Sequence, residues 1–271
     1  METIKGFIDT QEDVNYMIPD YMAQSNLDFL QESMGWTMAP RETNFVDIDE
    51  SLVQSGDFFG VVRLDGTSPM IMYGTGAHLS HCTMALRFDG ELYIVESQGS
   101  GYWPHQAIQR TPFYEWVQLA RERDFNVVWL PLKKEVADSF DVSGAVDFWN
   151  ETGGLPYGFH TFIFGWIDTP MDNLPGLMPQ GLIPIAFGVF EKHAPLKTKI
   201  LFNEGLNIRL GTQDLTVPEL AAEAARQGMS IQEVMAITNM DDWTYTGIEP
   251  RDGRSYVCSS FVGAMYLAAG L

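Results

Sequence analysis

Hydrophobic and polar positions change period along the chain, from strand-like in the first half to helical in the second. Asp57-Phe-Phe-Gly-Val-Val-Arg-Leu64 is a run of aromatic and β-branched residues closed by Asp65-Gly66, and reads as a strand. His81–Phe88 and Glu91–Glu96 alternate and are joined by Asp89-Gly90, residues suited to a two-residue turn in which both positions take φ > 0. Asn126-Val-Val-Trp-Leu-Pro-Leu132 adds a strand stopped by Pro131. After residue 135 the period is helical. Val142, Ala145, Val146 and Trp149 share one face, and Gly153-Gly154 ends the segment. Pro218–Gln227 reads as a helix with proline in its first turn and Gly228 as its stop. Ser230 and Glu233 form a capping box that opens another. The apolar, Ala-rich stretch Ser255–Leu271 reads as a buried terminal helix with Cys258 in its first turn. A short amphipathic helix fits residues 20–32, ahead of Pro40, whereas residues 158–212 carry no regular period. The pattern predicts an α+β fold, with an antiparallel sheet of about five or six strands packed against the 140–152 helix and the Cys258 helix.

Composition narrows the function classes. The chain has 271 residues, 45% of them hydrophobic, which is enough for one large core and too apolar for a solvated coil. Its 36 acidic and 16 basic residues give a net charge of −20. A surface of that sign repels nucleic acid and anionic lipid, so no nucleic-acid partner is expected. Two cysteines, Cys82 and Cys258, exclude a disulfide framework. The first residues lack the order of a signal peptide, and the most apolar stretch, 174–190, is broken by Pro and Gly and is too short to span a bilayer. No membrane span and a cytoplasmic location are the expectation.

Cys258 is the first candidate for chemistry. A helix N-terminus presents unpaired N–H groups, which favour the thiolate, and the amides of that turn, Ser259 among them, can stabilise an oxyanion. Free cysteine is also often plain core. A nucleophilic thiol needs a base, and among His78, His81, His105, His160 and His193, His81 stands out. A two-residue turn puts Phe88 opposite Glu91 and Thr83 opposite Glu96. Gln98 then faces His81, with Glu96 diagonal to it at roughly 7–8 Å. Either could orient the imidazole, and a solvent-facing Glu beside an ordinary strand histidine is the plainer alternative. The His78, His81, Cys82 group has pieces of a zinc site, but no second ligand pair follows and neighbouring strand residues face opposite ways, so no metal is expected. No dinucleotide or phosphate-loop signature occurs, and no cofactor is expected.

The order of these pieces resembles a known family. "SGDFFGVV", His81 heading a strand, "ELYIVES" with Glu96, a helix running into Gly154-Leu-Pro-Tyr157, and "SYVCSSFV" are similar to the circularly permuted branch of the NlpC-type papain-like cysteine peptidases, in particular its YiiX-like members. The resemblance covers roughly residues 52–165 and 250–271. It implies a papain-like sheet packed on the nucleophile helix, with Cys258 as nucleophile, His81 as base, Glu96 as orienting carboxylate and Tyr157 in the oxyanion pocket or substrate wall. Ser260 stands where that family often has an acidic residue after Cys-Ser.

The domains expected on this basis are an N-terminal accessory segment over 1–50, a catalytic domain over 51–165 and 246–271, and a helical or irregular insertion over 166–245. The function expected is hydrolysis of a peptide or small amide-bearing substrate through a Cys258 acyl-enzyme. A lipid acyltransferase or thioesterase on the same scaffold, with an apolar groove from residues 174–190, is one alternative. A catalytically silent module, binding a protein partner through 166–245, is another.

Overall fold

The computed structural model describes residues 20–38, 47–65, 68–99, 108–155, 157–158, 188–189, 191–193, 195–237 and 254–271. The fold is α+β, and the chain divides into two compact units, residues 1–157 with 246–271 and residues 158–245. In chain order the first unit contains α1 (Asp20–Met34), β1 (Phe58–Val62), α2 (Ser68–Thr75), β2 (His81–Phe88), β3 (Glu91–Ser97), β4 (Ile108–Pro112), α3 (Phe113–Glu122), β5 (Asn126–Leu130) and α4 (Val142–Thr152). The second contains α5 (Glu204–Leu210), α6 (Val217–Arg226) and α7 (Ile231–Met235). The chain returns to the first unit for α8 (Cys258–Ala268). Among the described residues no helix is long and apolar enough to cross a membrane.

Five strands form one antiparallel sheet in the order β4-β3-β2-β1-β5. Its centre is the hairpin that Asp89-Gly90 predicts. Both turn residues have positive φ, 50° and 90°, and Phe88 pairs with Glu91. Strand β2 is buried on both faces although its sequence alternates, because helices cover the sheet on either side. On one face Cys82, Met84, Leu86 and Phe88 join Phe261, Val262 and Met265 of α8 and Ala145 of α4. On the other, Ala85 joins Phe59, Val61 and Ile94 beneath Phe113, Trp116 and Ala120 of α3. A smaller cluster of Leu30, Val62 and Met72 ties α1 and α2 to the end of β1. Asn26 Nδ2 donates to Leu64 O and Asp65 O at 2.6 and 2.8 Å and completes that seam.

Three contacts fix α8 in place. A side chain at Gly144 would run into the backbone carbonyl of Ala268, so glycine lets α4 close directly onto the end of α8. Asp141 N–H donates to Ala269 O at 3.0 Å, and the Tyr266 hydroxyl donates to Gly56 O at 2.9 Å.

Three elements depart from the periodicity reading. Strand β4 and helix α3 occupy residues to which the periodicity assigns no element, and helical turns from Pro195 to Leu210 occupy part of the stretch read as irregular. The latter helix is held by buried Leu206 and Leu210 and stopped by Gly211 at φ 67°. In α6 the Thr216–Glu219 capping box is present, and in α7 Ser230 and Glu233 bond reciprocally as the sequence predicts. The stretch 174–190, offered as an apolar groove, lies almost wholly outside the described residues.

Candidate active site

Cys258 is the first residue of α8, after an N-cap at Val257 with extended backbone. The first amide to bond back within the helix is Phe261 N–H, to Val257 O at 2.9 Å, so the amides of 258, 259 and 260 have no acceptor inside the helix. Tyr256 and Tyr157 form a parallel bridge, and Ser97 Oγ donates to Tyr256 O at 2.6 Å. Those two contacts tie the approach to Cys258 onto the end of β3.

The thiol of Cys258, only 9% exposed, meets the first two residues of β2. Cys82 and His81 are the neighbours that act most strongly on its ionisation. Tyr157, buried and bridged to Tyr256, adds a third neighbour.

His81 points its Nε2 at Glu96, 2.7 Å from Oε2, which leaves Nδ1 for the thiol. The carboxylate is itself enclosed by donors. Gln98 Nε2 donates to Oε2 at 3.1 Å, and Trp116 Nε1 and Gln109 Nε2 donate to Oε1 at 3.2 and 3.5 Å. The diagonal neighbour, Glu96, is therefore the group that holds the imidazole. Gln98, directly across the hairpin, holds Glu96 and accepts from Arg63 Nη1 at 3.0 Å.

The electrostatics follow from these contacts. The hydrogen bond from Cys82 does most to hold the Cys258 thiol well below its ordinary pKa; burial opposes it, and the hydrogen bond and charge of His81 add to it. For His81, burial and then the Arg63 charge pull the pKa down. The bonds to Cys258 and Glu96 outweigh both, and the imidazole stands above its ordinary value. Cys82 moves oppositely to its neighbour. Its bond to Cys258 and its burial push its thiol well up. Burial, with the charges on the two sulfurs, also drives the Tyr157 hydroxyl well above the usual phenol range. Such an array can hold a thiolate against an imidazolium at neutral pH.

Of the residues singled out from sequence, Cys258, His81, Glu96 and Tyr157 converge. Ser259 follows Cys258 on α8 and is exposed. His78 stacks on Trp36 with ring centroids 5.7 Å apart, and among the described residues no three His, Cys, Asp or Glu side chains gather where a metal could be held. His105 and His160 lie outside the described residues. Four further residues belong to the site. Gln109 and Trp116 lie on β4 and α3, and the Phe113, Trp116, Ala120 spacing carried the signal for that helix. Arg63 follows β1, buried against Gln98 with its guanidinium 4.6 Å from the Phe125 ring centroid. Cys82 adjoins His81 in sequence. Strand alternation sends the two side chains opposite ways, yet both reach Cys258, the first residue of its helix, from the first two positions of β2.

No family model matches the chain, and no curated protein matches it. Among solved structures, the chain is similar to the one titled "Crystal structure of metalloprotein yiiX from Escherichia coli O157:H7, DUF1105". The sequence identity is 15% and the TM-score 0.31, over 55% of this chain and 86% of that one.

Proposed function

We propose that this chain is a cysteine hydrolase of the permuted NlpC-type papain-like kind, cleaving an amide or peptide-type bond through an acyl-enzyme on Cys258. The observation that carries the reading is the line from the Cys258 thiol through His81 to the buried Glu96 carboxylate, gathered from a helix N-terminus and a distant hairpin. In this reaction the thiolate attacks the substrate carbonyl, and its oxygen takes up negative charge near the amides of the first turn of α8. Tyr157 lines that position, and Ser259 supplies a further amide and an exposed hydroxyl. His81 gives its proton to the leaving amine as the C–N bond breaks, then takes one from water as the thioester is hydrolysed. Glu96 accepts from Nε2 throughout and keeps Nδ1 on the sulfur.

The test is the pH dependence of Cys258 alkylation by iodoacetamide, with Cys258→Ser as the blank. In the wild type, reactivity is expected to rise at a pH well below the ordinary thiol value of about 8.5. In His81→Ala the rise should move up towards that value, because the positive partner is gone. A thiol that reacts only on unfolding would sink the hydrolase reading and leave Cys258 as core.

A further inference from the structure

The mechanism leaves one nucleophile unused. Cys82 is buried in the same apolar cluster as Cys258, on a strand against which α8 packs, and each thiol is the strongest influence on the ionisation of the other. The rigid centre of the sheet therefore holds a second thiol against the first. We propose that Cys82 is a resolving cysteine, and that a hydroperoxide converts the pair to a Cys82–Cys258 disulfide that closes the site reversibly.

The steps balance. The Cys258 thiolate attacks a peroxide oxygen, breaking the O–O bond, and gives a sulfenic acid and hydroxide or alkoxide. The Cys82 thiol then attacks the sulfenic sulfur. An S–S bond forms, the S–O bond breaks, and the hydroxyl leaves with the Cys82 proton as water. The peroxide is reduced and the two thiols are oxidised. Disulfide formation then requires the two sulfurs of this cluster to close to the bonding length of about 2.05 Å. Without a resolving thiol, a sulfenic acid under continued oxidation proceeds irreversibly to the sulfinic acid, so the expected role of Cys82 is protection as well as closure. The effect on turnover rests on the nucleophile role proposed above; the disulfide does not.

The experiment treats the reduced, desalted full chain with a small excess of hydrogen peroxide and reads intact mass and non-reduced peptide maps. The wild-type monomer should become about 2 Da lighter, with the Cys82 and Cys258 peptides linked. Alkylation at Cys258 should be lost and should return with dithiothreitol. Cys82→Ser should instead become about 32 Da heavier at Cys258 and should not recover. Cys258 in the wild type reaching the sulfinic acid as fast as in Cys82→Ser, or linkage only between chains, overturns the proposal. Should Cys82→Ser fail to fold, the wild-type peptide map decides alone. Linkage in a chain that cleaves no amide overturns the hydrolase reading and spares this one; turnover without linkage does the reverse.

Discussion

The two faces of the central sheet contribute to the site by opposite means. The α4–α8 face is apolar. Phe261, Val262 and Met265 seat the helix on β2, and Gly144 lets α4 close behind it, so the Cys258 thiol is placed by packing. On the α3 face the Glu96 carboxylate is placed by hydrogen bonds from His81, Gln98, Gln109 and Trp116 within an otherwise hydrophobic layer. His81, at the head of β2, joins the two. The position of the Cys258 thiol and the polar setting of His81 are thus fixed by separate parts of the core, and each can be perturbed alone.

The strongest disturbance of the polar side is Glu96→Ala. It leaves the His81, Gln98 and Trp116 donors buried without their acceptor, and a loss of about 3–5 kcal/mol in urea unfolding is expected. On the packing side, Gly144→Val forces a side chain against the Ala268 carbonyl. About 1–3 kcal/mol is expected, read by the same titration, with His81–Glu96 chemistry intact.

Where the faces meet, pH is the lever. The Cys258 pKa is lowered by folding, so its contribution is present above the unfolded value and is lost as pH falls through the folded one. The His81 pKa is raised, so its contribution is present below the unfolded value and is lost as pH rises through the folded one. A folded thiolate–imidazolium pair binds one proton between about pH 6.5 and 8.5, as the unfolded thiol and imidazole do. The stability difference between wild type and Cys258→Ser is therefore expected to be flat there. It should fall on either side at up to about 1.4 kcal/mol per pH unit. A difference curve that stays flat outside this window as well would mean that the pair is not ionised. The smallest effect is that of Trp116→Phe, which keeps the ring and removes one donor to Glu96, for about 1 kcal/mol by thermal or urea unfolding.

Much of this was legible because it is local. The Asp89-Gly90 turn fixes the register, and register alone puts Glu96 diagonal to His81. The period of 142–152 and the glycine pair after it mark α4. Glu96 outranks Gln98 for a reason that pairing geometry does not contain. Gln98 is drawn off by Arg63, and Glu96 is surrounded by donors from β4 and α3. Those elements are written in short mixed segments such as Ile108-Gln-Arg-Thr-Pro112, whose strand state comes from pairing with β3 rather than from propensity. The partnership of Cys82 with Cys258 was hidden for a similar reason. Alternation describes the middle of a strand, and this contact is made at its first residues by an element from far along the chain.

The Ser97–Tyr256 hydrogen bond spans 159 positions in sequence, whereas His81 and Glu96 are 15 apart on one hairpin. The hairpin can close within microseconds, but the thiol arrives only after a long and entropically slow loop closure. Until then Cys258 has no imidazole, no helix terminus and no Cys82 beside it, and behaves as an ordinary thiol. Folding itself gives Cys258 its lowered pKa, and a partly folded chain lacks the surroundings that produce it.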